Sequence, residues 1–142
     1  MVGAHLLAGG ISAAVTAVEI NGDPVDTAGM LAGYATSGDR VGLLAIADGS
    51  ACHGDHAPGR RDDRSVAFDA RLADALAAGD PARLAAACAD RELALDLLAT
   101  VDPLAVLAAL TSADPPVEAE LLYRDAPLGA CYLVASWRWT SS

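Results

Sequence analysis

Residues 41–47 read VGLLAIA, and residues 48–64 continue as DGSACHGDHAPGRRDDR. The first run is continuously apolar and short, which predicts a strand buried on both faces, as in a parallel sheet. The second is rich in Gly and charged residues and reads as a loop. Upstream, residues 14–20 (AVTAVEI) alternate β-branched residues and predict another strand. Between the two strands, Asn21-Gly22-Asp23-Pro24 marks a turn, and Asp26 offers an N-cap for a helix through about Ala35. Residues 14–47 therefore form an expected β-α-β unit, with parallel strands and a right-handed crossover. Residues 2–8 read as the end of a helix closed by Gly9-Gly10.

Downstream of the loop, Asp62 or Asp63 can cap a helix that puts Phe68, Leu72, Ala75 and Leu76 on one face. Gly79 stops it. Asp80-Pro81 is a cap followed by a first-turn proline, and Asp102-Pro103 repeats the device, with Asp90 capping a helix between them. Pro115-Pro116 ends the helical region. Residues 117–124 alternate, with Val117, Ala119, Leu121 and Tyr123 on one face, and residues 131–137 form a more buried strand. These two are expected to pair as an antiparallel hairpin, with the aromatic residues covering it. The fold class that results is α/β: a β-α-β unit, a helical segment and a C-terminal hairpin in one mixed sheet, as a single domain over residues 1–142.

The 142 residues are 54% hydrophobic and 20% charged, which is globular rather than disordered composition. The net charge of −10 repels phosphate backbones and anionic lipid, so neither nucleic acid nor a membrane surface is an expected partner. The apolar stretch 93–110 is interrupted by Asp96, Asp102 and Pro103 and cannot span a bilayer. The first residues carry no basic segment of the kind that opens a secretory signal. Three widely spaced cysteines, Cys52, Cys88 and Cys131, suit reduced thiols in the cytoplasm.

The loop after residue 47 is the candidate site, because ligands of open α/β sheets bind beyond the carboxyl ends of the strands. Asp48, Ser50 and His53 are its candidate catalytic residues. His53, Asp55 and His56 are its candidate metal ligands, two imidazoles and a carboxylate being able to reach a transition ion. The C-H-G-D-H run at 52–56 matches no standard metal spacing, which favours a solvated acidic-basic loop over a metal site. Ser50 lies outside any G-x-S-x-G elbow, and Asp48 can instead cap its own turn. Arg60, Arg61 and Arg64 sit among aspartates and read as a self-neutralised turn rather than an anion site.

Taken together, Ala57-Pro58-Gly59, Asp62 or Asp63 with Arg64, Phe68-Asp69, Ala75-Leu76 and Gly79-Asp80 resemble the A-P-x-G-x-D-x-R turn and the F-D helix after it in one family. It is the class III extradiol ring-cleavage dioxygenase superfamily, subunit-B type, and the likeness is to the C-terminal half of its small actinobacterial members. The closing AELLYRDAPLGACYLVASW is similar to their terminal hairpin. The resemblance runs from about Val41 onward. It implies an incomplete version of the family fold, and a chemistry in which Fe(II), held by two histidines and a glutamate, opens catecholic rings with O₂. Both iron-binding histidines belong to an N-terminal half without counterpart here. The family's acid/base histidine falls on Ala51, with His53 as its substitute, and the glutamate falls near Leu97, with Glu92 the nearest carboxylate. The resemblance thus implies a degenerate domain, inactive in ring cleavage as this chain alone. It also implies a second copy or a partner chain covering an exposed sheet edge. The residues leave two further readings: a non-catalytic assembly module, and a divalent-metal enzyme with an unrelated site in the 48–56 loop.

Overall fold

The computed structural model describes residues 16–20, 22–35 and 41–140. Helix α1 spans Pro24–Ala35 and the longest helix, α2, spans Arg64–Ala78. Helix α2 is built on the stripe that the sequence announces. It buries Phe68, Leu72, Ala73, Ala75 and Leu76, with Ser65 and Asp69 on the same side. Positions three, four and seven apart share one face of a helix, so this face turns inward as a unit. Gly79 ends it in the left-handed region at φ 59°. Its N–H reaches the Leu76 carbonyl at 3.3 Å and the Asp80 N–H reaches that of Ala75 at 3.2 Å. That pair of bonds is a Schellman closure, which satisfies carbonyls the helix leaves open.

The next turn starts α3 (Pro81–Cys88) at once. The Asp80 side chain accepts from the Arg83 N–H at 3.0 Å and Pro81 occupies the first turn. Asp90 caps α4 (Arg91–Asp96) through the Leu93 N–H at 2.9 Å. The third cap differs from expectation. Helix α5 (Asp102–Thr111) starts on Asp102, whose carboxylate is drawn 2.5 Å from the Arg91 guanidinium and is not used as a cap. Helix α1 begins two residues ahead of the expected Asp26 cap, because Asp23 accepts from the Val25 N–H at 2.7 Å and Pro24 opens the first turn. Helix α1 packs on α5, and α5 on α3, which in turn lies against α2.

Strands β1 (Glu118–Asp125) and β2 (Tyr132–Arg138) form a two-stranded antiparallel sheet laid on α2. A register irregularity between Leu121 and Tyr123 breaks the expected alternation. Ala119 and Leu121 face inward, but Tyr123 beyond the break is exposed, since one extra residue transfers the rest of the strand to the other face. Two devices hold the sheet to the helix. The Trp137 indole N–H donates to the Leu76 carbonyl at 2.7 Å. Ala119 lies where a side chain on Gly79 would have to be, at 2.6 Å from an ideal Cβ.

The expected first layer is not formed among the described residues. Residues 41–47 belong to no strand, and residues 16–20 likewise have no ladder. The nearest pairing is a single antiparallel bridge from Asp48 to Thr100. Val41, Leu43, Leu44 and Ile46 are exposed rather than buried on both faces. Strand propensity without a neighbour does not make a strand, because sheet stability resides in cross-strand pairs. The β-α-β reading therefore fails here in its local form, residues 14–15, 21 and 36–40 of that unit lying outside the described residues, as does the helix expected over residues 2–8. What the chain shows is a mixture of helices with an antiparallel hairpin. No helix among the described residues is long and apolar enough to cross a membrane.

The core contains a titratable thiol. Burial pushes Cys88 up to about 11, from an ordinary 9.0. The unfolded thiol then ionises before the native one, so its contribution is complete below pH 9 and is lost as pH rises through 11. Denaturant titrations between pH 8 and 11 should show a loss of stability that is smaller in Cys88→Ala by on the order of 2 kcal/mol.

Candidate functional site

Residues 48–53 are held without belonging to any helix or strand. Asp48 exchanges both backbone bonds with Thr100, at 3.2 and 3.0 Å. The Ala51 N–H donates to the Leu97 carbonyl at 2.9 Å, and the Ser50 carbonyl accepts from the Cys131 N–H at 2.8 Å. The His53 N–H donates to the Gly129 carbonyl at 3.0 Å. The loop is thus sewn to the α4–α5 connection on one side and to the hairpin turn on the other. Its backbone polar groups are paired where water is excluded.

The third attachment is made by one side chain, Asp69 of α2, which is fully buried. Its Oδ1 accepts from the Ser50 N–H at 2.9 Å, and its Oδ2 accepts from the Ser50 hydroxyl at 2.5 Å. The His53 Nε2 lies 2.6 Å from the same Oδ2. Ser50 is buried with it, whereas the His53 side chain keeps one-fifth of its surface exposed and is the opening of the cluster to solvent. Cys131 stands beside them, buried, immediately before β2. Burial, then the neighbouring Asp69 charge and a hydrogen bond to it, push the Cys131 thiol up to about 12. A cavity of about 110 Å³ adjoins this corner, lined in part by Asp48, Gly49, Leu72 and Cys131.

Of the expected catalytic residues, Ser50 and His53 are brought together by Asp69. Asp48 is not; it is exposed and serves through its backbone bridge. The expected metal set of His53, Asp55 and His56 is not assembled. Asp55 and His56 are exposed, and Asp55 lies 3.6 Å from the Arg61 guanidinium. Among the described residues, His53, Asp69 and Cys131 are the His/Cys/Asp/Glu group whose ligand atoms all lie within 4.8 Å of one another. Neither Asp69 nor Cys131 is evident from the loop sequence. The available signal for Asp69 is a lone carboxyl inside an otherwise apolar helix stripe, since a buried acid requires partners.

Two arginines of the cluster, Arg61 and Arg64, are neutralised in place. Arg64 pairs with Asp62 at 2.6 Å and Asp96 at 3.1 Å, and Arg61 with Asp63 at 3.1 Å. Hydrogen bonds from Arg64 hold the Asp62 carboxyl down at about 2.

The closest approach of loop and hairpin turn depends on Gly129. Its φ is 78°, and an ideal Cβ there would fall 2.4 Å from the Ala57 Cα and 2.8 Å from the His53 carbonyl oxygen. Gly129→Ala should therefore cost about 2–4 kcal/mol, combining left-handed strain with overpacking against backbone. A chemical-denaturation midpoint indistinguishable from wild type would show that the turn gives way freely.

Compared with known proteins, the chain matches no family model, no curated protein and no solved structure.

Proposed function

We propose that this chain is an extradiol-dioxygenase-like domain that keeps a histidine in the acid/base position and does not open aromatic rings by itself. The observation that carries the reading is the His53–Asp69 pair. A partly exposed imidazole stands in the loop after residues 41–47 and is oriented by a fully buried carboxyl from the F-D helix. A buried acid that fixes one ring nitrogen of a histidine is the usual way to orient it for proton transfer. Among the described residues, the family's iron-binding glutamate has no counterpart beside the pair: Leu97 is a buried leucine, and Glu92 is exposed. Buried, unpaired Cys52, Cys88 and Cys131 fit the reducing cytoplasm.

The test is oxygen consumption with catechol and Fe(II) under anaerobic loading followed by air. The expected result is uptake no greater than for Fe(II) in buffer, and no yellow ring-opened product. Turnover by the purified chain would overturn the reading.

A second reading, an assembly module, is favoured by one observation: four large apolar side chains of residues 41–46 are exposed along a segment that pairs with no strand among the described residues. In this reading the segment is the first strand of a parallel layer completed by a strand from a second chain, the uncovered edge being the attachment point. Light scattering should then give a mass that rises with concentration, and Leu43→Arg should return it to the monomer. A concentration-independent monomer would exclude self-association.

A further inference from the structure

We propose that His53, Asp69 and Cys131 form a binding site for a single thiophilic divalent cation, with zinc as the best fit. The three donors come from three separate parts of the fold: the 48–53 loop, helix α2 and the residue that leads into β2. Their ligand atoms already lie within 4.8 Å of one another, and Asp69 and Cys131 are buried. Convergence of separate, independently anchored segments is what a metal site needs and what the linear 52–56 run does not offer.

The donor set selects the ion. One imidazole nitrogen, one carboxylate oxygen and one thiolate suit zinc or cobalt, whereas magnesium and calcium require oxygen ligands throughout. Asp69 is oriented for the role: the Ser50 N–H holds Oδ1 and the Ser50 hydroxyl holds Oδ2, which also faces the His53 Nε2 at 2.6 Å. The ion takes the place of the shared hydrogen. Two bonds of about 2.0 Å at a tetrahedral angle require the nitrogen and oxygen to stand about 3.3 Å apart. The loop must therefore open there by well under an ångström or so, and the exposed edge of His53 allows it. The Cys131 thiol gives its proton to solvent as its sulfur binds. Three protein ligands leave a fourth position for water or another small ligand.

This site shares His53 and Asp69 with the dioxygenase-like reading, but the two are tested separately. It uses none of that family's iron ligands, and it can fail while the ring-opening assay behaves as expected, or the reverse. When the ion is bound, the His53 Nε2 is a ligand and has no proton to transfer, the ring keeping its N–H at Nδ1.

The decisive experiment uses the full chain, freed of metal by a chelator and titrated with Co(II) as a spectroscopic substitute for zinc. The expected result is saturation at one equivalent. It should bring visible bands of tetrahedral cobalt and a near-ultraviolet sulfur-to-cobalt charge-transfer band, both abolished by equimolar zinc. Cys131→Ser should remove the charge-transfer band, while Cys52→Ser and Cys88→Ser keep it. X-ray absorption on the zinc-loaded wild-type chain requires no variant and should show one sulfur at about 2.3 Å with nitrogen and oxygen neighbours. A cobalt spectrum without the thiolate band, a band that survives in folded Cys131→Ser, or a zinc shell of nitrogen and oxygen alone would each overturn the proposal.

Discussion

Asp69→Ala should destabilise the protein by about 3–5 kcal/mol, the range seen when one partner of a buried polar pair is deleted. Four contacts meet on this carboxyl: the Ser50 N–H, the Ser50 hydroxyl, the His53 ring and the Cys131 thiol. Alanine leaves the Ser50 N–H without a partner in a place where Ser50 has no exposed surface. An unmade bond to a buried N–H costs about 1–3 kcal/mol alone. The hydroxyl loses its acceptor, and the imidazole is released toward solvent. Asp69→Asn keeps the shape and one carbonyl oxygen, so its loss should be less than half as large. Equilibrium urea unfolding of both variants checks the order. If alanine costs under about 1 kcal/mol, the low end of that desolvation range, Asp69 is not what fastens the loop to α2. Since small domains are stable by only about 5–15 kcal/mol, this one change consumes a large share of the total.

Phe68→Ala should have an effect of similar size, about 3–5 kcal/mol, for a different reason. Phe68 is one residue before Asp69 and is nearly fully buried in the cluster that includes Leu72, Leu84 and Leu97. Removing its ring takes apolar area out of the core and leaves a cavity that surrounding helices fill only in part. The Arg71 guanidinium, 5.9 Å from the ring centroid, loses its contact as well. Leu95→Ala is the matched control: Leu95 is 73% exposed, and its loss should lie within about 0.5 kcal/mol. A Phe68 effect no larger than the Leu95 effect would mean that α2 is not seated on this core.

The parts of the fold that are legible in the sequence are those specified by neighbours along the chain. The Phe68/Leu72/Ala75/Leu76 stripe, the Gly79 stop and the Asp80-Pro81 restart are local patterns, and each appears where expected. The hairpin is implied by alternation and a turn, but the break at Leu121/Tyr123 is not, because no single residue there demands an irregular register. Residues 41–47 illustrate the opposite limit. Their composition suits a strand, yet a strand is completed by a partner distant in sequence, which no local pattern supplies. The site divides in the same way. Ser50 and His53 are visible as polar residues in a loop after an apolar run. Asp69 is reached only through the helix periodicity, and Cys131 only through the folded contact between the loop and β2. At Asp102 the local signal points to a cap, and a longer-range ion pair with Arg91 takes the carboxylate instead.

The outward-facing residues 41–47 also carry a consequence for the handling of the protein. Seven successive residues without charge or proline, with Val41, Leu43, Leu44 and Ile46 exposed to water, have the composition from which cross-β fibrils nucleate. The net charge of −10 keeps two molecules apart in dilute buffer. That repulsion fades beyond about 8 Å at physiological ionic strength. Added salt should therefore shorten the shelf life of concentrated solutions, and thioflavin fluorescence during storage should rise with ionic strength rather than with acidity alone.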